Sequence, residues 1–590
     1  MKHKRFGIPV AVTAFVATLG LHAATAAASS CTDLTQLSLP NTAITAAQDI
    51  PAGSFAGQAN LPAFCRVTAT LTPTFDSHIL IEVWLPAAGW NGRFEGIGGG
   101  GYQGGITYGN MGPPLRQGYA VANTDEGTSS SGCTALYCGQ AGNKGNPTAI
   151  AFGESAAATT GLLGHPERIK DFGWRAMHLM SVRSKEIVKA YYHRPAAYSY
   201  FSGCSTGGQN ALMEAQRFPE DYDGILAGAP AHYRTHNHLV VNRDWLSATA
   251  KPDSPVSSAQ MTLINNAVLA ACAGQDGGLK SDTFLTDPRD CRFDPKVLQC
   301  TGSNAPPSCL TQDQLATIQT YYAGVSNPRT GELIYPGYSR GSEAAPIGSL
   351  GLVLNEALPE PAFDGFFYWV FGSQFGDLSS AHNYKNFDYD HDVDTVDKAL
   401  AADLNATSTD LSGFKKRGGK MILFHGWADP LIPPQGTINY YNAVVAHGHH
   451  SEGGEGRDDD EGNDGRGGSL SSTQKYFRLF MAPGTWHCGS GPGPNVFGGA
   501  FNQGPNTDAD HSAISALARW VEQGVAPEQI IATKFVNDSP AAGVAFQRPL
   551  CPYPKVAKYK GSGDPTAASS FACVADEPDY NQKPAPRYGP

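Results

Sequence analysis

Apolar residues follow two rhythms along this chain, and each rhythm predicts a different element. Short, nearly continuous apolar runs bounded by Gly, Asn or Pro read as buried strands: 78–85, 93–97, 119–123, a run starting at Tyr198, 224–229, a run starting at Lys420, and 476–481. Met177, Met180, Ile187, Val188 and Tyr191 recur instead at helical spacing, so 174–192 is expected as a core-packing helix. Further helices are expected after Ser205, ending at Phe218-Pro219, and over 512–524, with Asp510 as cap and Gly524 as stop. Strand, helix and strand in succession predict an α/β fold with a mainly parallel sheet.

The rhythm breaks between about 231 and 417, where four cysteines, many Pro and Gly residues and the run Phe363-Asp364-Gly365-Phe366-Phe367-Tyr368-Trp369 appear. This predicts a large domain inserted into the α/β core, lying as a lid over one end of the sheet. The expected organisation is therefore core over 29–230, lid over 231–417 and core again over 418–590. Within the last part, 447–468 is acidic and glycine-rich (Asp458-Asp459-Asp460-Glu461 inside it) and is expected to be a flexible surface insertion.

Composition changes the picture at three points. The net charge of −11 over 590 residues argues against nucleic acid as a partner. Lys2, Lys4 and Arg5 precede an apolar run over 8–21 and then Ala24-Thr25-Ala26 and Ala26-Ala27-Ala28, so 1–28 reads as a secretory signal peptide. That run is too short to span a bilayer, and no other stretch is long enough, so the expected location is secreted or periplasmic without a membrane partner. Export makes the 12 cysteines disulfide candidates. Local spacing favours Cys133–Cys138, Cys272–Cys291, Cys300–Cys309 and Cys551–Cys573, which leaves Cys31, Cys65, Cys204 and Cys488. Zinc competes as an explanation, but no pair has the close spacing of a structural site. Nothing in the sequence speaks to oligomeric state.

The candidate chemistry centres on Gly203-Cys204-Ser205-Thr206-Gly207, a Gly-x-Ser-x-Gly between an expected strand and helix. Small residues two before and two after the serine permit a tight turn that lifts its hydroxyl clear of the sheet. The N–H of Thr206, at the start of the helix, then faces any developing negative charge. The loop from Gly98 to Gly105 follows an early strand. It lacks the Gly-Lys-Ser/Thr of a nucleotide site and suits close backbone approach, giving a second oxyanion donor. Asp429 and His487 each follow an expected strand, and the order Ser205, Asp429, His487 is that of α/β-hydrolases. His487 would take the serine proton, and Asp429 would orient the imidazole. His425, four residues before Asp429, is expected to be structural or to contact substrate. Cys204 precedes the serine and Cys488 follows the histidine, so a bridge between them would clamp nucleophile to base.

Gly203-Cys204-Ser205-Thr206-Gly207-Gly208, His425-Gly426-Trp427-Ala428-Asp429-Pro430 and Trp486-His487-Cys488 closely resemble the tannase/feruloyl esterase family, which also includes the bacterial hydrolase of mono(hydroxyethyl) terephthalate. The resemblance runs from Cys31 to about Cys573. It implies an α/β-hydrolase core with an inserted lid, a Ser205–Asp429–His487 triad, the Cys204–Cys488 bridge, and Cys31–Cys65 for the remaining pair. It makes Gly101 the oxyanion donor beside Thr206. It implies a serine carboxylesterase acting on a small aromatic ester through an acyl-enzyme, without a cofactor for catalysis. Feruloyl and related hydroxycinnamoyl esters come first, galloyl esters second, terephthalate monoesters third. A peptidase or a non-catalytic binding relative are the readings from other classes. Phe367, Trp369 and Phe371 would either stack on the acyl group or form lid core. Finally, the resemblance implies a structural calcium held by Asp276, Asp282 and Asp287 between Cys272 and Cys291. Here the sequence departs from the family pattern, with Ala273 in place of an aspartate and Gly278 inserted.

Overall fold

A computed structural model describes residues 30–128, 166–302, 304–345, 365–371, 378–380, 383–452, 466–499 and 504–575, together with Met1 and Pro361. All of the expected signal peptide after Met1, and the Cys133–Cys138 pair, lie outside the described residues.

Nine strands form one sheet: β1 (Thr42–Ile50), β2 (Phe64–Leu71), β3 (Ile79–Pro86), β4 (Arg93–Ile97), β5 (Ala120–Thr124), β6 (Tyr198–Cys204), β7 (Gly224–Gly228), β8 (Lys420–Gly426) and β9 (Phe477–Ala482). Their spatial order is β1-β2-β3-β5-β4-β6-β7-β8-β9. The first three pairings are antiparallel, and every pairing from β5/β4 to β8/β9 is parallel. The expected mainly parallel α/β sheet is therefore present, extended at one edge by an antiparallel meander.

Both faces of the sheet are buried, which is why its strands read as continuous apolar runs. Period-two alternation sends Phe201, Ile225, Leu423 and Leu479 to one face, where they pack with Met177, Met180 and Leu212. It sends Tyr200, Leu226, Ile422 and Phe480 to the other, against Leu115 and Leu517. The helix expected over 174–192 runs from Ala176 to Tyr192. The helix expected over 512–524 is Ala513–Gln523, with Gly524 left-handed at φ 73° as its stop. Its cap is Ser512, whose hydroxyl accepts from the Ser515 N–H, and not Asp510, which pairs with Arg519.

The 231–417 region supplies four long helices, Arg234–Ala248, Ser258–Cys272, Gln312–Ala323 and Asp392–Leu404, gathered around an apolar cluster of their own. Capping boxes at Ser257/Gln260 and Thr311/Gln314 start two of them. Phe367 and Trp369 belong to this cluster, with Trp369 edge-on to Tyr102 and Phe172, so they are core residues of this region. The segment expected to be flexible over 447–468 begins and ends in helix: Pro434–Glu452 runs into it and Arg466–Thr473 leads out of it, with 453–465 outside the described residues. Five disulfides join the described residues, including the three expected from local spacing there, Cys31–Cys65 and Cys204–Cys488.

Candidate active site

The Ser205 turn is built by close approach. Ser205 sits between β6 and the helix Thr206–Arg217 at φ 67°, ψ −121°, a region that non-glycine residues enter only when their surroundings force it. A Cβ at Gly203 would lie 2.4 Å from the Gly207 carbonyl oxygen, and one at Gly207 would lie 2.8 Å from that of Gly99. The two small residues flanking Ser205 are therefore a steric requirement. The Ser205 N–H is held by Gly228 O on β7 at 3.0 Å, and the Gly207 N–H donates to Gly99 O at 2.9 Å. The second bond fixes the Gly-rich loop against the start of the helix.

That loop turns at Gly101, which has φ 60°. Its carbonyl oxygen accepts a 2.7 Å hydrogen bond from the Thr206 hydroxyl. The N–H groups of Gly101 and Thr206 have no backbone acceptor among the described residues. Both residues line one cavity of about 260 Å³ with Ser205 and His487. Neighbouring side chains hold the loop: Gln103 accepts from the Gly100 N–H at 3.0 Å and Asn210 from the Gly99 N–H at 3.2 Å.

Asp429 and His487 follow β8 and β9, adjacent parallel strands whose ends are laced together. Trp427 N–H donates to Ala482 O at 2.9 Å and Ala428 N–H to Thr485 O at 3.1 Å. Asp429 is fully buried, and its Oδ2 accepts from His487 Nδ1 at 2.8 Å. Its Oδ1 accepts from the N–H groups of Leu431 and Ile432 at 2.8 and 3.0 Å. Burial works against the charged carboxylate, but the two adjoining imidazoles outweigh it and hold Asp429 well below the ordinary carboxylate range. The second imidazole is His425. Its Nε2 faces Asp429 Oδ2 at 3.1 Å and Ile432 O at 3.0 Å, and Thr437 occupies Nδ1. With no exposure at all, His425 has the structural one of its two expected roles.

Cys204 and Cys488, 284 positions apart in sequence, are bridged with Cα atoms 5.8 Å apart, which brings the residues next to them, Ser205 and His487, to one cavity. The sequence-predicted triad, both oxyanion candidates and both cysteines thus come to one place. Arg234 also lines this cavity, together with Asn237 and His238. Sequence reasoning missed all three, because they lie in the first two turns of the helix Arg234–Ala248, whose packing against the Ser205 turn no local pattern announces.

The Asp276 and Asp282 loop is a separate matter. Asp276 lies between donors: Gly278 N–H at 3.2 Å on Oδ1, and the N–H groups of Thr286 and Asp287 on Oδ2. Asp282 accepts from Leu279 N–H at 2.8 Å and from the Arg548 guanidinium at 3.0 Å. Both carboxylate oxygens of Asp287 accept from the Arg289 guanidinium. Calcium needs six to eight oxygen ligands. This loop offers it main-chain N–H donors from the Gly278-Leu279 turn and a guanidinium, with Ala273 contributing no carboxylate. The residues present do not fit a calcium centre. Among the described residues, the only other cluster of metal-ligating type is His178, Glu214 and Asp221, and Lys185 already approaches Asp221 there at 3.3 Å.

Residues 65–574 match the family model described as tannase and feruloyl esterase. The chain is 40% identical over 580 residues to an uncharacterized esterase of Xanthomonas campestris pv. campestris, covering 95% of this chain and 94% of that one. It is 31% identical to a probable feruloyl esterase of Arthroderma benhamiae, covering 87% and 86%. Among solved structures, feruloyl esterase B from Aspergillus oryzae superposes with a TM-score of 0.74 at 26% identity, covering 92% of this chain and 99% of that one. Tannin acyl hydrolase from Aspergillus niger shares the fold, with a TM-score of 0.65 at 21% identity and coverage of 91% and 92%. With a family model spanning most of its length and relatives matched nearly end to end, this chain belongs to the tannase and feruloyl esterase family, and it is an esterase.

Proposed function

We propose that this protein is a secreted serine esterase of plant phenolic esters, feruloyl and other hydroxycinnamoyl esters foremost, with Ser205, His487 and Asp429 as its triad. The single observation that carries the reading is the shared cavity. Ser205 and His487 line it together, while the Asp429 contact on Nδ1 leaves the far nitrogen of His487 for the serine proton. In the first half-reaction Ser205 Oγ attacks the ester carbonyl and His487 Nε2 takes its proton. The N–H groups of Gly101 and Thr206 receive the oxyanion, and the imidazolium returns the proton to the departing alcohol. Water repeats the sequence on the acyl-enzyme and releases the acid. These steps need no cofactor. The lining supports a flat acyl group bearing a polar substituent, since it combines Ala231, Val241, Leu431 and Ile432 with Asn237 and His238. The names of the matched relatives support feruloyl esters ahead of galloyl esters.

The five disulfides support folding in an oxidising compartment, and among the described residues no helix is long and apolar enough to cross a membrane. The 231–417 segment is the lid in this reading. Its acidic loop is neutralised by Arg548 and main-chain N–H groups, so the folded protein draws no stability from calcium there. Thermal melts with EDTA and with added millimolar calcium are expected to coincide. A shift of several degrees would restore a metal to Asp276 and Asp282.

The deciding assay compares methyl ferulate with methyl gallate on purified mature protein. The expected result is a higher kcat/KM for ferulate, by about tenfold or more, the scale of one well-placed pocket contact. Preference for gallate would make the protein a tannase. Failure on both would remove phenolic esters from the reading.

A further inference from the structure

Arg234 is a buried cation with no part in the mechanism above. It is 1% exposed and begins the first helix of the inserted region, yet its side chain reaches back under the catalytic turn. Nε donates to Gln209 Oε1 at 2.7 Å, and Nη2 donates to the Thr206 hydroxyl. Gln209 is anchored in turn through its side-chain N–H to Leu404 O at 2.6 Å. The guanidinium lies over the rings of Phe172 and Tyr102, at 4.8 and 5.7 Å. A fully buried guanidinium is expensive unless its donors are used. Here two of its nitrogens are directed at the helix that follows Ser205.

The important partner is Thr206. Its hydroxyl accepts from Arg234 and therefore keeps its own proton for Gly101 O, at 2.7 Å. The link Arg234 to Thr206 to Gly101 joins the residues whose N–H groups face the oxyanion in the proposed reaction. Gly101 needs such a link. It sits at φ 60° beside Gly100, where a Cβ would meet nothing within 4 Å, although Gly98 and Gly99 before it are packed closely against Gly207 and Glu126. The Gly101 N–H is in the peptide whose carbonyl, Gly100 O, accepts from the Gln103 N–H at 2.9 Å. The Thr206 hydroxyl fixes the following peptide through Gly101 O, so without it the turn at Gly101 is held on one side only.

We propose that Arg234 is a positioning residue for ester hydrolysis, holding the Gly101 and Thr206 N–H groups on a common point through the Thr206 hydroxyl. The proposal rests on Ser205 being the nucleophile. It also explains how seating of the inserted region reaches the chemistry, since the helix Arg234–Ala248 delivers the guanidinium. Glu126 supports the arrangement. It lies behind the Gly-rich loop, close enough that a Cβ on Gly99 would fall 2.1 Å from Oε1. Burial pushes its carboxyl up to about 8, against the pull of Arg234, so near neutrality most of it holds its proton and leaves the arginine charge uncancelled.

The test uses the full-length mature enzyme with Thr206→Val, Thr206→Ser, Arg234→Met and Arg234→Ala, beside Ser205→Ala. Thr206→Val removes the hydroxyl and keeps the backbone N–H and the volume, so it decides the matter even if the arginine variants fold poorly. Thr206→Val and Arg234→Met are expected to lower kcat by about 10- to 100-fold with KM within about threefold, the range for a displaced oxyanion donor. Thr206→Ser should recover most of that loss, and guanidinium ion at about 50 mM should restore part of kcat to Arg234→Ala. Unchanged kcat in Thr206→Val would overturn the proposal. So would an effect on KM alone, or equal losses in the Val and Ser variants. Turnover by Ser205→Ala would remove the nucleophile assignment itself and the proposal with it. A dead Ser205→Ala beside a fully active Thr206→Val would remove only the role of Arg234.

Discussion

Ser205→Ala is expected to lose ester turnover by about 10⁴- to 10⁶-fold while the fold and its thermal stability stay close to the parent. The chemical side follows from what remains. The N–H pair of Gly101 and Thr206 and the cavity walls can still bind the ester, but His487 has no hydroxyl to deprotonate and no acyl-enzyme forms. The stability side follows from the turn. Ser205 is only partly buried and lines the cavity, so deleting one oxygen leaves no void in the core. Its φ of 67° is imposed by β6, the Gly228 contact and the helix behind it, and Ala tolerates that conformation no better than Ser. Ser205→Gly should therefore be equally inactive yet more stable than Ser205→Ala, by about 1 kcal/mol, because glycine alone enters this region without strain. Hydrolysis of methyl ferulate and thermal melts of the three proteins check both halves. Activity within tenfold of the parent in Ser205→Ala would discard the serine mechanism.

Much of this site is legible in the amino-acid order because its constraints are local. The turn at Ser205 requires glycine two residues either side, and parallel strands buried on both faces leave apolar runs whose ends mark where Asp429 and His487 must emerge. The adjacency of Cys204 to the proposed nucleophile and of Cys488 to the proposed base carries long-range information in a local signal. Where partners arrive from far along the chain, no such signal exists. Nothing near Asp282 announces Arg548, 266 positions away, so the loop reads as a cation site until the guanidinium is seen beside it. Arg234 looks like an ordinary polar residue at a helix start, and its burial under the Ser205 turn depends on packing between two stretches of chain, the helix Arg234–Ala248 and the helix Thr206–Arg217. Strand β1 is missed for another reason. As an edge strand of mostly small residues in which only Ala47 is buried, Thr42–Ile50 lacks the apolar run that marks the inner strands. The aromatic run at Phe367 and Trp369 is ambiguous in sequence because lid core and substrate platform use the same side chains.

Replacing both bridging cysteines, Cys204→Ala with Cys488→Ala, is expected to cause a large combined loss of stability and rate. The bridge closes a loop of 284 positions, and chain entropy alone makes such a link worth roughly 3–5 kcal/mol. Its effect on rate has a different origin. Ser205 and Cys488 both hold left-handed backbone conformations, at φ 67° and 62°, one on each side of the bridge. The strands beneath fix Asp429 firmly, through Leu431, Ile432 and the lacing of β8 to β9. The loop carrying His487 beyond Thr485 has the bridge and the Asp429 contact as its main attachments to the serine side. Freed of the bridge, the His487-Cys488 peptide can relax its positive φ and draw the imidazole away from Ser205. A displacement of about 1 Å is enough to lower kcat by about 100-fold. Measured at 15 °C, well below the lowered melting point, the double variant should therefore show a reduced kcat together with the reduced Tm. A lower Tm with parental kcat would mean that the Asp429–His487 contact alone aligns the base, leaving the bridge as a staple for the fold. A single Cys→Ala variant is the poorer experiment, because the partner thiol would then lie free in the catalytic cavity, open to oxidation and exchange.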